Sequence, residues 1–164
     1  FLWYNFFVIN MKKIYIYSLL FFIIDFFSKL LVKTNFTLFQ SIEIIPGFFN
    51  LTFVYNEGAA FSILEGKKIL FVLLGLFLII GLLIFAGKEK LTNYKIICYS
   101  LLIGGVLGNM FDRIFYQGVV DFFAFKLFNY EAPIFNVADS FIVIATILII
   151  IDSMRRKNEN RSTD

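Results

Sequence analysis

The chain has 164 residues, of which 60% are hydrophobic, 20% aromatic and 16% charged, with a formal net charge of +3. Soluble domains run at roughly 45–50% apolar with about a quarter charged, so a soluble fold this short has no core large enough to hide such an excess, and the bilayer is its solvent. The sequence contains no histidine and one cysteine, Cys98, which excludes a disulfide framework within the chain and any Ser-His, Cys-His or HExxH chemistry.

The first predicted element is an apolar run from Ile14 to Val32, interrupted by Asp25, Ser28 and Lys29. Met11-Lys12-Lys13 ahead of it reads as a natural beginning, with residues 1–10 as an upstream extension. A cleaved signal peptide is disfavoured here, because the apolar stretch is too long and no A-x-A-like site follows. The second run, Ile69 to Ala86, carries no charge. The third spans about Ile96 to Met110, and the fourth Ile134 to Ile151, with Asn136 and Asp139 in its first turns. Each approaches the about 20 residues that a helix needs to cross the hydrocarbon. The expected architecture is one four-span membrane domain over residues 11–154, followed by a basic tail over 155–164.

Lys and Arg cluster beside these runs, which is the signature of membrane orientation and gives no reason to expect a nucleic-acid partner. With the N-terminus cytoplasmic, the inner segments hold Lys12, Lys13, Lys88, Lys90, Lys95, Arg155, Arg156, Lys157 and Arg161. The outer segments hold Lys33, Lys67, Lys68, Arg113 and Lys126. Both termini are therefore expected inside, with loops 33–68 and 111–133 outside. Those outer loops carry strand-like runs, Phe48 to Tyr55 and Val119 to Phe125, the first bounded by Pro46-Gly47 and Asn56-Glu57-Gly58. A small extracytoplasmic sheet on the membrane surface is expected, with Phe48, Phe49, Phe53, Tyr55 and Phe61 placed to lie among headgroups.

The polar residues inside this apolar frame need partners. Asp25 and Lys29 stand four apart on one helical face and form a local ion pair. Near the end of the third span Asn109, Asp112 and Arg113 share a face, Arg113 being able to grip a carboxylate with two parallel bonds, while Gly104, Gly105 and Gly108 allow close helix approach. Asp121 and Asp139 have no basic neighbour in sequence and sit at the same predicted depth, near the outer interface. Chemistry alone leaves them open between a catalytic pair, interfacial capping and an ion path. As a pair, two aspartates suffice for peptide hydrolysis without metal or cofactor, because adjacent carboxyls share one proton and divide the acid and base roles. Asp139, at a helix start, is the expected ionised base; Asp121, in an apolar run, the expected neutral acid.

Taken together, Asp25-x-x-x-Lys29, Asn56-Glu57-Gly58-Ala59-Ala60-Phe61, Gly108-Asn109-x-x-Asp112-Arg113, Val119-Val120-Asp121-Phe122 and Phe135-Asn136-x-Ala138-Asp139 resemble, in this order, the bacterial lipoprotein signal peptidases. The likeness covers Met11 to Ile151. It implies four transmembrane helices with a small β-cradle, catalytic aspartates at Asp121 and Asp139, and supporting residues at Asp25, Lys29, Asn56, Gly58, Asn109, Asp112, Arg113 and Asn136, with no metal and no cofactor. The implied substrates are diacylglyceryl-modified prolipoproteins, cut just before the lipidated cysteine at the outer face of the bacterial cytoplasmic membrane. Membrane lipid is the only other partner implied. A small transporter or ion-conducting subunit is the competing reading, opposed by the absence of polar residues from the second span and their gathering at the outer end. A non-catalytic assembly factor is a further one.

Overall fold

The computed structural model describes residues 2–58, 66–89, 91–128 and 130–161. Among these are four helices long and apolar enough to cross a membrane. They are α1 (Leu2–Asn35), α2 (Lys68–Lys88), α3 (Asn93–Phe115) and α4 (Val137–Arg161). In α1 the apolar stretch is Ile9–Asn35 and in α4 it is Val137–Arg155. At 1.5 Å per residue, the 21 residues of α2 cover about 30 Å, the depth of the hydrocarbon.

Two of these elements depart from the apolar runs that announce them. The third run ends at Met110 in the sequence, yet α3 continues to Phe115. Hydropathy undercounts it because Asn109 and Asp112 are buried against partners on other elements and stay helical. The fourth run starts at Ile134, yet α4 starts at Val137. The residues before it are held extended instead, through a bridge between Phe123 and Phe135.

Helix α3 is the axis of the bundle and packs against the other three. It is buried along most of its length, whereas α2 and α4 point large apolar side chains such as Phe77, Leu73, Val143 and Ile150 outward. In lipid that outward face is the solvated one. Because hydrocarbon tails are as apolar as leucine, helices there approach through small residues and not through hydrophobic expulsion. A Cβ added at Gly105 would stand 2.6 Å from the Ala138 carbonyl oxygen of α4, and one at Gly104 2.8 Å from the Ser18 carbonyl oxygen of α1. Those two glycines set the α3–α4 and α1–α3 separations.

Between α1 and α2, and again between α3 and α4, the chain builds an antiparallel sheet: β1 (Ser41–Ile45), β2 (Phe49–Asn56), β3 (Val119–Leu127) and β4 (Tyr130–Glu131), in that order. Both segments leave the bundle at the same end, so the sheet lies beyond the span ends. The runs expected as strands are β2 and β3. Strand β1 was not expected; its short Ile-rich run pairs Ser41 with Thr52 and turns back at Gly47, whose φ is +68°. The side chains of β2 divide between two faces, with a shift of register against β3 between Leu51 and Val54. Leu51, Phe53 and Tyr55 pack into a small core with Val32 of α1 and Val120 and Phe122 of β3, while Asn50, Thr52, Val54 and Asn56 take the opposite face. Phe53 is thus 6% exposed and belongs to this core instead of the headgroup layer, whereas Phe48 is 41% exposed. Phe61 lies outside the described residues.

Candidate active site

A buried ammonium, that of Lys29, stands at the centre of the site's polar network. Lys29 is 3% exposed. It meets Asp25 Oδ2 at 2.8 Å, Asp112 Oδ2 at 2.9 Å and Asn109 Oδ1 at 3.0 Å. An ammonium has three protons and no lone pair, so this environment matches it fully. The local Asp25–Lys29 pair expected from the sequence is present, but the cation is shared with Asp112 of α3, which sequence spacing had grouped with Arg113.

Each of these partners carries the connection further. Asp25 Oδ1 accepts the Ala138 N–H at 2.8 Å, so a carboxylate of α1 satisfies one of the free N–H groups in the first turn of α4. Asp112 Oδ2 also accepts the Val120 N–H at 3.1 Å, tying α3 to β3. Because Lys29 can only donate, Asn109 turns Oδ1 toward it and is left with Nδ2 facing Asp139 Oδ1, at 2.7 Å.

Asn136 and Asp139 form a capping box at the start of α4, the arrangement in which cap and third residue satisfy each other. The Asn136 side chain accepts the Asp139 N–H at 2.9 Å, and Asp139 Oδ2 accepts the Asn136 N–H at 3.2 Å. With Oδ1 so occupied, the Asn136 amide directs Nδ2 to Asp121 Oδ1 at 2.6 Å and Asn109 Oδ1 at 3.2 Å. The Phe123–Phe135 bridge sets this up by bringing β3 alongside the residues that precede α4. From β2, Asn56 Nδ2 reaches Asp121 Oδ2 at 2.9 Å, its own Oδ1 being held by the Gly58 N–H at 3.0 Å. Val54, not Asn56, stands opposite Asp121, so this is a diagonal contact of the kind two antiparallel strands permit.

Arg113 does not grip a carboxylate. It donates to the carbonyls of Asn109 and Gly58, each at 3.1 Å, with its guanidinium 4.9 Å from the Phe71 ring centroid. The bidentate geometry anticipated for it needs a planar acceptor pair, and here the fork is spent across two elements. Its charge still lies within reach of Asp139 and Asp121.

Asp121 and Asp139 line one cavity of about 360 Å³, together with Asn56, Asn109, Arg113 and Phe71. Burial raises the Asp121 carboxyl from its ordinary 3.8, and the Asp139 charge raises it further. The Asn56 and Asn136 amides and the Lys29 charge hold it back, leaving it at about 7. Desolvation sets the direction, because burial disfavours the charged form of a carboxyl, and the nearby Asp139 charge acts the same way.

All ten residues singled out from the sequence as site candidates therefore converge on one network, Gly58 through its backbone. The walls contributed by Phe71, Pro133 and Ile134 carried no motif. Phe71 stood in an apolar run like any other span residue, and only its position one turn into α2 set it apart.

Against known proteins, the family model described as "Signal peptidase (SPase) II" matches residues 17–155. The chain is 43% identical over 143 residues to a lipoprotein signal peptidase of Pasteurella multocida, covering 84% of this chain and 86% of that one. It is 38% identical over 143 residues to one of Staphylococcus aureus, covering 87% and 88%. Two solved bacterial membrane enzymes share the fold. One has a TM-score of 0.83 at 35% identity, covering 90% of this chain and 91% of its own; the other has 0.76 at 37%, covering 86% and 92%.

Proposed function

The chain belongs to the signal peptidase II family and is an aspartic peptidase that removes signal peptides from prolipoproteins, and on that premise we propose that Asp121 and Asp139 are its catalytic pair. The observation that carries this reading is their shared cavity, in which one carboxyl is raised to about 7 partly by the charge of the other. Two carboxyls poised apart in this way hold one proton between them near neutral pH.

Asp139 takes the base role, held in the first turn of α4 with Oδ1 accepting from the Asn109 amide and Oδ2 from the Asn136 N–H. Asp121 takes the acid role. Asp139 removes a proton from water as its oxygen attacks the scissile carbonyl, while Asp121 gives its proton to the carbonyl oxygen. In the collapse, Asp139 passes its proton to the leaving nitrogen and Asp121 recovers one from the tetrahedral hydroxyl. Proton count and charge are restored, and no metal is called on.

The substrate reading is a precursor carrying diacylglycerol on its cysteine, cut immediately before that residue. A lipid-anchored bond can be reached only at an interface, and the cavity lies where α3 and α4 meet the sheet, at one end of the spans. The positive-inside balance favours placing that end outside and both termini in the cytoplasm. The deciding experiment is cleavage of a lipidated precursor by the purified protein and by Asp121→Asn and Asp139→Asn. Signal-peptide release by the parent and none by either variant is expected; turnover near the parent's by either would remove the pair from catalysis.

A further inference from the structure

The active-site cavity does not end at the two aspartates. A hollow of about 290 Å³ shares Asn56, Asp121, Pro133 and Ile134 with it. A third, of about 400 Å³, shares Ile134 and Glu131 with the second and is floored by Asn50, Thr52 and Ala124. The three form one groove over the face of the sheet that is turned away from its core. The stripe Asn50, Thr52, Val54, Asn56 runs along its floor, and only Asn56 has a part in the polar network around the aspartates. From Asn56 to Asn50 is six residues of strand, or about 20 Å at 3.3 Å per residue.

We propose that this groove binds the stretch of roughly six residues that follows the scissile bond, extended along β2 and leading away from the membrane. The inference rests on the peptidase reading and adds to it a binding site on the mature side of the cut. Three observations give the groove this occupant. It starts at Asp121, so a chain lying in it is continuous with the bond being cut. It leads off the bundle end, whereas an apolar signal segment has its favourable environment beside the spans. Its far half mixes the two kinds of contact an extended peptide uses, with Asn50 and Thr52 on the floor and Glu43, Lys126 and Glu131 at the end, beside Phe125 and Ile134. Lys126 stands 3.6 Å from Glu131, which leaves Glu43 as the excess charge and gives that end a preference for a basic residue.

The test uses the full-length protein in detergent with lipidated precursor peptides that keep the signal segment and end one, two, four, six or ten residues beyond the cysteine. kcat/KM is expected to rise with length up to about six residues and then level off. In the six-residue peptide, lysine at the last two positions is expected to be preferred over glutamate by about twofold to fivefold, the scale of an exposed ion pair. The Glu43→Lys/Glu131→Lys protein should invert that ratio, a comparison within one preparation that is insensitive to how much of it folds. Equal kcat/KM at every length, or a preference that the charge swap leaves in place, would overturn the groove assignment while leaving the peptidase reading intact, because the shortest peptide reports cleavage by itself. No cleavage at any length would overturn the reading underneath.

Discussion

Asn136 and Asp139 hold each other through both of their backbone N–H groups, the side chain of each accepting from the main chain of the other, at 2.9 and 3.2 Å. This reciprocal cap does more than start α4. It fixes which way the Asn136 amide points, so that its NH2 is committed to Asp121 and Asn109. A helix-capping motif thereby becomes the part that holds one aspartate at a set distance from the other.

Replacing Asn136 by serine separates those two jobs. Serine caps helices about as well as asparagine but has no second donor for Asp121. We expect Asn136→Ser to lose about 1–3 kcal/mol, the usual cost of leaving a buried polar group unpaired, and to lower kcat strongly. The Asn136 bond is one of the contacts that hold the Asp121 carboxyl down, so the upper limb of the pH–kcat profile should move to higher pH. That limb reports the coupled pair as a whole. A variant with reduced kcat and an unmoved profile would mean that Asn136 only stabilises the helix.

The raised Asp121 carboxyl also predicts how stability follows pH. Its folded value of about 7 exceeds the ordinary 3.8, so the folded state binds the proton more tightly than the unfolded one. The stability this contributes is complete below about pH 4 and is lost as pH rises through 7, at up to about 1.4 kcal/mol per pH unit. Asp121→Asn cannot ionise and should escape that loss. Its stability relative to the parent should improve between pH 4 and 7 and stay constant above, whatever fixed penalty the amide brings. Denaturation curves that remain parallel across that range would contradict the shift. Peptidase activity of the parent should fall as pH rises past about 7, because the neutral acid is consumed.

How much of this was legible beforehand follows from what hydropathy and spacing can report. The four spans are apolar runs, and β2 and β3 are β-branched and aromatic runs between turn residues, so local sequence announces them. The Asp25–Lys29 pair lies within one helical turn and is equally local. The sharing of Lys29 with Asp112 is not, since it depends on α1 and α3 packing closely enough for an ammonium to span them. The same holds for Asp25 capping α4 through the Ala138 N–H, and for Arg113 spending its donors on carbonyls of two elements. Polar residues in a membrane bundle are satisfied by whichever neighbour packing supplies, and spacing along one helix does not name that neighbour.

The shared cation changes what charge-removing mutations should do. Lys29→Met removes the ammonium that both Asp25 and Asp112 contact in a buried setting, so it should be the most severe single change, costing about 3–5 kcal/mol or preventing recovery of folded protein. Asp25→Ala should cost less, because Lys29 retains Asp112. The double change Asp25→Ala/Lys29→Met should recover part of the Lys29→Met loss, though not all, as Asp112 still lacks that ammonium. A double-mutant cycle in a detergent melt measures this. Additive losses would show that Asp25 and Lys29 are energetically independent, against the 2.8 Å pair.

Two glycines give a matched comparison of crowding around that pair. Gly108 of α3 faces the Asp25 carboxylate and has no room for a Cβ; an added carbon would overlap Asp25 Oδ2. That oxygen belongs to a carboxylate held on one side by Lys29 and on the other by the Ala138 N–H, so it has little freedom to yield. Gly81 in α2 has nothing within 4 Å of the corresponding position. In an ordinary helix interior, glycine to alanine gains about 0.5–1 kcal/mol through lost chain freedom and better propensity. Gly81→Ala should therefore be neutral or slightly stabilising. Gly108→Ala should lower the melting temperature clearly and reduce activity as well, because displacing Asp25 loosens the start of α4, where Asp139 sits. Equal melting temperatures for the two alanine variants would show that Asp25 gives way at no cost, and the tight packing of α1, α3 and α4 around it would then have no role in holding Asp139.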